Sequence, residues 1–531
     1  MNRFTAIHGD VQPALEKPWS LTHLTPPSAL FGANGMQFGP DGRLYVAQAM
    51  GSQVTAIDTR NGDLEVIAAN GGPITGPDDV AFDSAGNMYS TEVMSAQVTM
   101  RAPDGTVTVV ADNLPSANGV TVFNDRLFID EHRPGGRLFE LYPHDDRPPR
   151  LIADDLDDPN ALAGGPDGKL YFPLVAPGEI WRADPESGEL EKVTEGLAFP
   201  TAAKFTPSGE LVSPQAGNGE VVKIDVNTGE QTIVAKVRPG IDNLAFDADG
   251  NLFLSHFIDG GVAEVAMDGS NRERVLVKPG WVGPWGIACD TSGIIFIMDG
   301  LSLGTRSPEG EIAYIGGPLD KTAPRFVRAV AAGNQQTQAG TMWMTTARGD
   351  VLHYNVANGT HTKRAIKLGI LKGICPTAGD DILTVRNNPA KSNDGAVLRI
   401  SSDGSASEIC TGLNHPSDVL ELNGKAYVSE SGAGKVLSVD GNGATTTILD
   451  GLDNPRGLAS INGLLYVLDR GNRSLIEVDV SGSGKASTIA SDLPIGAICP
   501  LDLAGGLASD HNGGLLIAAD GEGSVLRLQQ K

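Results

Sequence analysis

Short apolar runs alternate with turn-forming residues along nearly the whole chain, and their spacing repeats. The clearest instance is Gly32 to Ala47, G-A-N-G-M-Q-F-G-P-D-G-R-L-Y-V-A. An Asn-Gly step opens a run from Met36 to Phe38, a Pro-Asp-Gly turn follows, and a β-prone run from Leu44 to Ala47 closes the unit. Pro presets one turn dihedral and Gly tolerates the left-handed one, so this is the grammar of two short strands and a tight turn. The same sentence recurs at 76–91, 116–130, 158–172, 199–213 and 240–254. Each unit then adds a third and a fourth run, in the first unit Gln53 to Asp58 and Leu64 to Ala68.

Six further units begin near Gly286, Arg328, Gly373, Asp418, Gly457 and Gly506. A period of roughly 40–45 residues with four strands and no helical pattern predicts an all-β protein built as β-propellers with four-stranded antiparallel blades. Rings hold about four to eight blades. The repeats therefore predict an N-terminal arm over 1–25, one propeller over 26–280 and a second over 281–531, six blades each, with a seven-plus-five division as the alternative. The last unit ends after three runs, and the arm segment Trp19 to Leu24 is a candidate for its missing outer strand, which would cover a sheet edge.

Composition narrows the partners. The chain has 531 residues, 67 of them Gly, and a formal net charge of −25, which argues against nucleic acid and anionic membrane as partners. No apolar run approaches the ~20 residues needed to span a bilayer. The N-terminus M-N-R-F-T-A-I-H-G-D lacks a signal pattern, so a cytoplasmic protein acting on a small molecule is expected, with the oligomeric state open. Cys289, Cys375, Cys410 and Cys499 fit no zinc module and read as small buried hydrophobes.

In a blade, the start of the innermost strand and the end of the second strand lie at one face of the ring. Reading the first of these positions over the first six units gives Asn34, Asp78, Asn118, Asn160, Thr201 and Asp242. Oxygen donors of mixed charge around one axis suit a hard divalent cation: Ca²⁺ first, with Mg²⁺ or Zn²⁺ as alternatives. The competing reading is that Asn and Asp are common turn residues. The second position reads Gln48, Glu92, Glu131, Leu174, Pro214 and His256, with His132 and Gln215 one step on. Glu92, Glu131, His132 and His256 are thus candidate acids and bases, each alone also an ordinary loop residue. In the second half the first position reads Trp285, Arg328, Lys372, Ser417, Arg456 and Gly505, which disfavours a cation and fits either a bound anion or, as the favoured reading, charge pairing with a structural role.

The blade sentence N-G-x-x-F-x-P-D-G-x-L-Y-V resembles the SMP-30/gluconolactonase family and its paraoxonase and strictosidine-synthase-like relatives. Units such as N-P-R-G-L-A-S-I-N-G-L-L-Y-V (454–467) resemble NHL repeats. The resemblance implies a propeller with a divalent metal at the channel mouth and lactone or ester hydrolysis. The gluconolactonase-like ligands are a Glu, an Asn of an Asn-Gly step and an Asp. Asn118 and Asp242 match the last two, while Asn34 stands where the Glu would be. The doubled length is a second departure. In streptogramin-lyase-like propellers a His acts near a metal, a part open here to His256 or His132.

Three functions follow as expectations. The first is a metal-dependent hydrolase of the lactonase/esterase type, with metal ligands drawn from Asn34, Asp78, Asn118, Asn160 and Asp242 and a base from His256, His132, Glu131 or Glu92. Met50, Met94, Phe199 and Phe257 would supply apolar substrate contacts. The second is a lyase or isomerase on the same platform. The third is a non-enzymatic interaction scaffold. Other catalytic motifs, such as G-x-S-x-G and H-E-x-x-H, are missing.

Overall fold

A computed structural model describes residues 3–316, 323–333, 338–482, 484–497 and 505–531. The chain divides into two compact units. Among the described residues, the first comprises 3–7 and Ser28–Val282; the second comprises His8–Pro27, the described part of Gly283–Ala497, and 505–531. Apart from one short helix, Arg3–His8, the described secondary structure is β, in four-stranded antiparallel sheets of the kind that form propeller blades.

In the first unit the opening sheet is Met36–Phe38, Leu44–Gln48, Gln53–Ile57 and Leu64–Ala68, hydrogen-bonded in that order. Five further sheets repeat this order, beginning at Pro77, Ala117, Ala163, Lys204 and Ile241. The second strand of each is buried on both faces, as in Leu44–Gln48 and Met88–Glu92. The fourth strand is half exposed, as in Gln231–Lys236. Strands packed between neighbouring sheets have no solvent face, so they carry apolar runs without alternation. Met36, Val46 and Ile57 of the opening sheet pack with Ala245, Phe253 and Val262 of the sixth, which brings the last sheet back onto the first.

Hydroxyls on second strands strap neighbouring sheets together. The Ser255 hydroxyl accepts the Asn243 N–H at 3.0 Å and donates to the Asn34 carbonyl at 2.7 Å. Thr91 does the same between the Asp79 N–H and the Asn118 carbonyl.

The second unit has the same grammar, its sheets beginning at Pro284, Val327, Leu371, Pro416, Pro455 and Leu507. The last of these is completed by Trp19–His23, which pairs antiparallel with Ser524–Gln530 from Trp19↔Gln530 to His23↔Leu526. Ala14–Leu15 adds a short fifth strand beside Ala486–Ser491. Residues 8–27 are therefore part of the second unit rather than a separate arm. Cys289, Cys375 and Cys410 are buried free thiols; Cys499 lies outside the described residues. No described helix is long and apolar enough to cross a membrane.

Candidate functional site

The inner strands of the first unit gather an unusual concentration of charge. Asp78 and Asp79 lie on Pro77–Phe82, Asp242 on Ile241–Phe246 and Lys204 on Lys204–Phe205. By surface, Asp78, Asp242 and Lys204 are half-buried, yet protein walls them closely. Burial and then the neighbouring Asp79 push the Asp78 carboxyl up to about 7. Asp242 is raised well above the usual carboxylate range by burial and by Asp78 and Asp79, with Lys204 opposing. Burial lowers the Lys204 ammonium, with Asp79 and Asp242 opposing. This mutual sensitivity brings four side chains from three sheets into one electrostatic cluster.

Their hydrogen bonding divides them. Asp79 is occupied: Oδ1 accepts the Val80 N–H at 2.9 Å and Oδ2 the Val120 N–H of the next sheet at 3.4 Å. Lys204 donates to the Met36 carbonyl at 3.0 Å. The side chain of Asn118 is 5% exposed, and its Oδ1 is buried without a hydrogen-bond partner. An orphaned acceptor of this kind is costly unless something occupies it. Asn34 Oδ1 accepts the Ala49 N–H at 3.2 Å and Asn160 Oδ1 the Ala161 N–H at 2.7 Å, and an amide oxygen so engaged keeps a second lone pair. Among the described residues no group of three or more His, Cys, Asp or Glu side chains is arranged to hold a metal. A cation here would need the asparagine oxygens as well as Asp78 and Asp242, and the donor chemistry, all hard oxygen, fits Ca²⁺ better than Zn²⁺.

The four candidate bases separate sharply. Glu92 is fully buried and engaged within its own sheet. Its Oε2 accepts the Thr75 N–H at 3.0 Å, the Ser95 hydroxyl at 2.9 Å and the Gln97 amide at 2.8 Å, and its Oε1 accepts the Thr99 hydroxyl at 2.8 Å. The same latch, from the end of the second strand to an N–H ahead of the first, recurs at Gln48 with Phe31 (2.9 Å) and at Gln215 with Ala198 (2.6 Å). In the second unit it recurs at Asp299 with Gly283 (2.7 Å), Glu430 with Asn414 (2.6 Å) and Asp469 with Asp453 (3.0 Å). Glu131, equally buried, is clamped by the Arg133 and Arg137 guanidiniums. Carboxylates so satisfied hold a corner of the fold.

His256 is 1% exposed, and its Nε2 meets the Arg238 carbonyl at 3.3 Å. A carbonyl only accepts, so Nε2 carries the proton and the buried Nδ1 has no partner. Burial and the Arg238 charge lower its pKa to about 4. His132 is half-buried, and its Nδ1 meets the Pro159 carbonyl at 3.2 Å, next to Asn160 in sequence. By the same reasoning Nδ1 carries the proton and Nε2 keeps a free lone pair.

Sequence reading did not single out Lys204, Asp79 or Asp130. Asp130 is fully buried, with Oδ1 accepting the Gly119 N–H at 3.0 Å and Oδ2 unpartnered. It stands where Thr91 and Ser255 stand in their sheets, and burial, with Asp79 and Asp78 nearby, pushes it up to about 8. Alignment of the units places it in a column that reads Ala47, Thr91, Asp130, Pro173, Ser213 and Ser255, of which it is the acidic member.

No family model and no curated protein matches the chain. Among solved structures, a gluconolactonase of Xanthomonas campestris aligns at 19% identity over 47% of this chain and 93% of its own, with a TM-score of 0.39. A structure of a nidogen/laminin complex aligns at 15% identity over 45% of this chain and 92% of its own, with a TM-score of 0.35. The extracellular domain of the one-component system BT4673 of B. thetaiotaomicron aligns at 11% identity over 94% of this chain and 76% of its own, with a TM-score of 0.34.

Proposed function

We propose that the first unit is a six-bladed propeller acting as a divalent-cation-dependent hydrolase of the lactonase/esterase type on a small organic substrate. The observation that carries the reading is the buried, unpartnered Asn118 Oδ1 at the start of an inner strand, in a unit whose inner strands also bring Asp78 and Asp242 into one cluster. Asn118, Asp78 and Asp242 would hold the ion, with Asn34 and Asn160 contributing amide oxygens. A bound cation of this kind polarises a carbonyl and stabilises negative charge developing on its oxygen.

The chain's own residues supply the rest. His132, fixed through Nδ1 by the Pro159 carbonyl, presents Nε2 as the group that takes a proton from water. His256 is too enclosed to meet substrate and serves the fold. Glu92 and Glu131 hold the corners that set where their sheets' inner strands begin. The second unit takes a structural or accessory role.

The test is metal content of the purified protein by mass spectrometry, with melting curves in Ca²⁺ and in EDTA, followed by a lactone and ester screen. One stoichiometric Ca²⁺, lost in Asp242→Ala, and hydrolysis lost in His132→Gln with the ion retained are the expected results. Absence of an ion together with an EDTA-insensitive melt overturns the reading.

A further inference from the structure

The second unit encloses a cavity of about 700 Å³. Its walls come from the inner strands of all six sheets, which neighbour one another in turn and close from Leu507–Ser509 back onto Pro284–Cys289. Ile287, Val330, Ile374, Leu458 and Leu507 make much of the wall apolar. In the first unit the inner strands end on Phe38, Phe82, Phe123, Phe205 and Phe246, with Gly164 in the fourth sheet. In the second unit the same position holds Cys289 in the first sheet and Ser509 in the last, and both line the cavity.

Cys289 has a base beside it. His511, in the turn after Ser509, also lines the cavity, and its Nδ1 lies 3.7 Å from the Cys289 sulfur. The turn is fixed from within: Asp510 Oδ1 accepts the Asn512 and Gly514 N–H groups, each at 2.7 Å. The ring rests against the bare Cα of Gly293, where a methyl group would come within 2.7 Å of the His511 Cε1. Asn512 brings its side-chain amide to 2.9 Å from Nε2. That side chain is exposed and can present either end of the amide to the ring. Oxygen first, it accepts the Nε2 proton and leaves Nδ1 unprotonated towards the sulfur, the order of nucleophile, base and orienting group. Burial, with Asp290 and Asp510, pushes the thiol up to about 11 against a hydrogen bond from the His511 backbone. A thiol so held reacts near neutral pH only with a base to take its proton.

We infer that Cys289 and His511 are the nucleophile and base of a second site, which takes the acyl group of a small apolar ester into this cavity. The sulfur bonds to the acyl carbon as its proton passes to Nδ1; the ester C–O bond breaks, and the alcohol leaves with that proton. A thioester on Cys289 remains. Water then attacks the thioester carbonyl and gives a proton to Nδ1, which returns it to the departing sulfur, and a carboxylic acid is released. No step draws on the cation of the first unit.

The full chain in EDTA is mixed with 4-nitrophenyl butanoate, quenched in acid and mapped by peptide mass spectrometry. A butanoyl group on Cys289, and none on Cys375 or Cys410, is expected, formed in step with nitrophenolate. Cys289→Ala should lose the group. His511→Gln should form it about a hundredfold more slowly, the lower end of what a general base contributes. If His511→Gln does not fold, His511→Ala is read in its place. No acyl group on Cys289 from either the butanoyl or a phenylacetyl ester overturns the inference, as does an unchanged rate of acylation without His511.

Discussion

A methyl group added at Gly35 would lie 2.1 Å from Oδ1 of Asp79 and 2.5 Å from its Cα. The inner strands of the first two sheets approach this closely because the Gly35 N–H donates to the Asp78 carbonyl at 2.7 Å. Gly35→Ala is therefore expected to destabilise the first unit by about 2–3 kcal/mol through overpacking. Gly42→Ala is the control: its φ is +76° with open space around it, so only a backbone cost of about 1 kcal/mol is expected. Chemical denaturation of the two variants distinguishes the cases.

Glu92 separates a latch from a catalyst. Glu92→Ala strands the Thr75 N–H and the Thr99 hydroxyl, and is expected to cost about 3 kcal/mol. Glu92→Gln keeps one acceptor oxygen and should cost less. Neither change should weaken Ca²⁺ binding. A Glu92→Gln variant of wild-type stability that has lost all hydrolysis would reverse this assignment.

His256 makes stability sensitive to acid. Its folded value of about 4 lies below the ordinary 6.5, so the unfolded chain binds the extra proton between those values. Stability is therefore full above about pH 6.5 and falls as the pH drops towards 4, by at most about 3 kcal/mol. In His256→Gln this part of the fall should disappear. Denaturation midpoints across that range, compared between the two proteins, measure it.

Asp130 acts in the opposite direction. Its folded value of about 8 exceeds the ordinary 3.8, so its protonated form is favoured by folding. The associated stability is full below the unfolded value and lost as the pH rises through about 8. Asp130→Thr restores the hydroxyl found at Thr91 and Ser255. It is expected to stabilise the unit in EDTA by on the order of 2 kcal/mol in alkaline buffer, where an ionised, buried Asp130 is penalised. The advantage should shrink in acid. Equal stabilities of the two proteins on the alkaline side would show that Asp130 is not held protonated.

Much of the first unit was legible beforehand. The Pro-Asp-Gly turn after Met36–Phe38 and the apolar run that follows are local chemistry, and they reappear as paired strands with the register Met36↔Val46 to Phe38↔Leu44. Asn118 and Asp242 were picked out by their places at the starts of inner strands, where they lie. Glu92 was picked out by its register alone, and its hydrogen-bonded surroundings were not legible there. A signal was nonetheless present: Gln48, Asp299, Glu430 and Asp469 recur at that register in both halves, which marks a device shared by several sheets.

The chain by itself determined the repeated four-strand unit, the antiparallel pairing within it and the positions where polar side chains begin each inner strand, because all of these rest on turn chemistry and on apolar runs within about 45 residues. Only the tertiary structure decided that Lys204 would meet the carbonyl of Met36 within the electrostatic influence of Asp79 and Asp242, and that Asn118 Oδ1 would be left without a partner. Those relationships join residues from different sheets, where burial raises the cost of every unpaired charge and acceptor, and no local pattern encodes which groups will share that space.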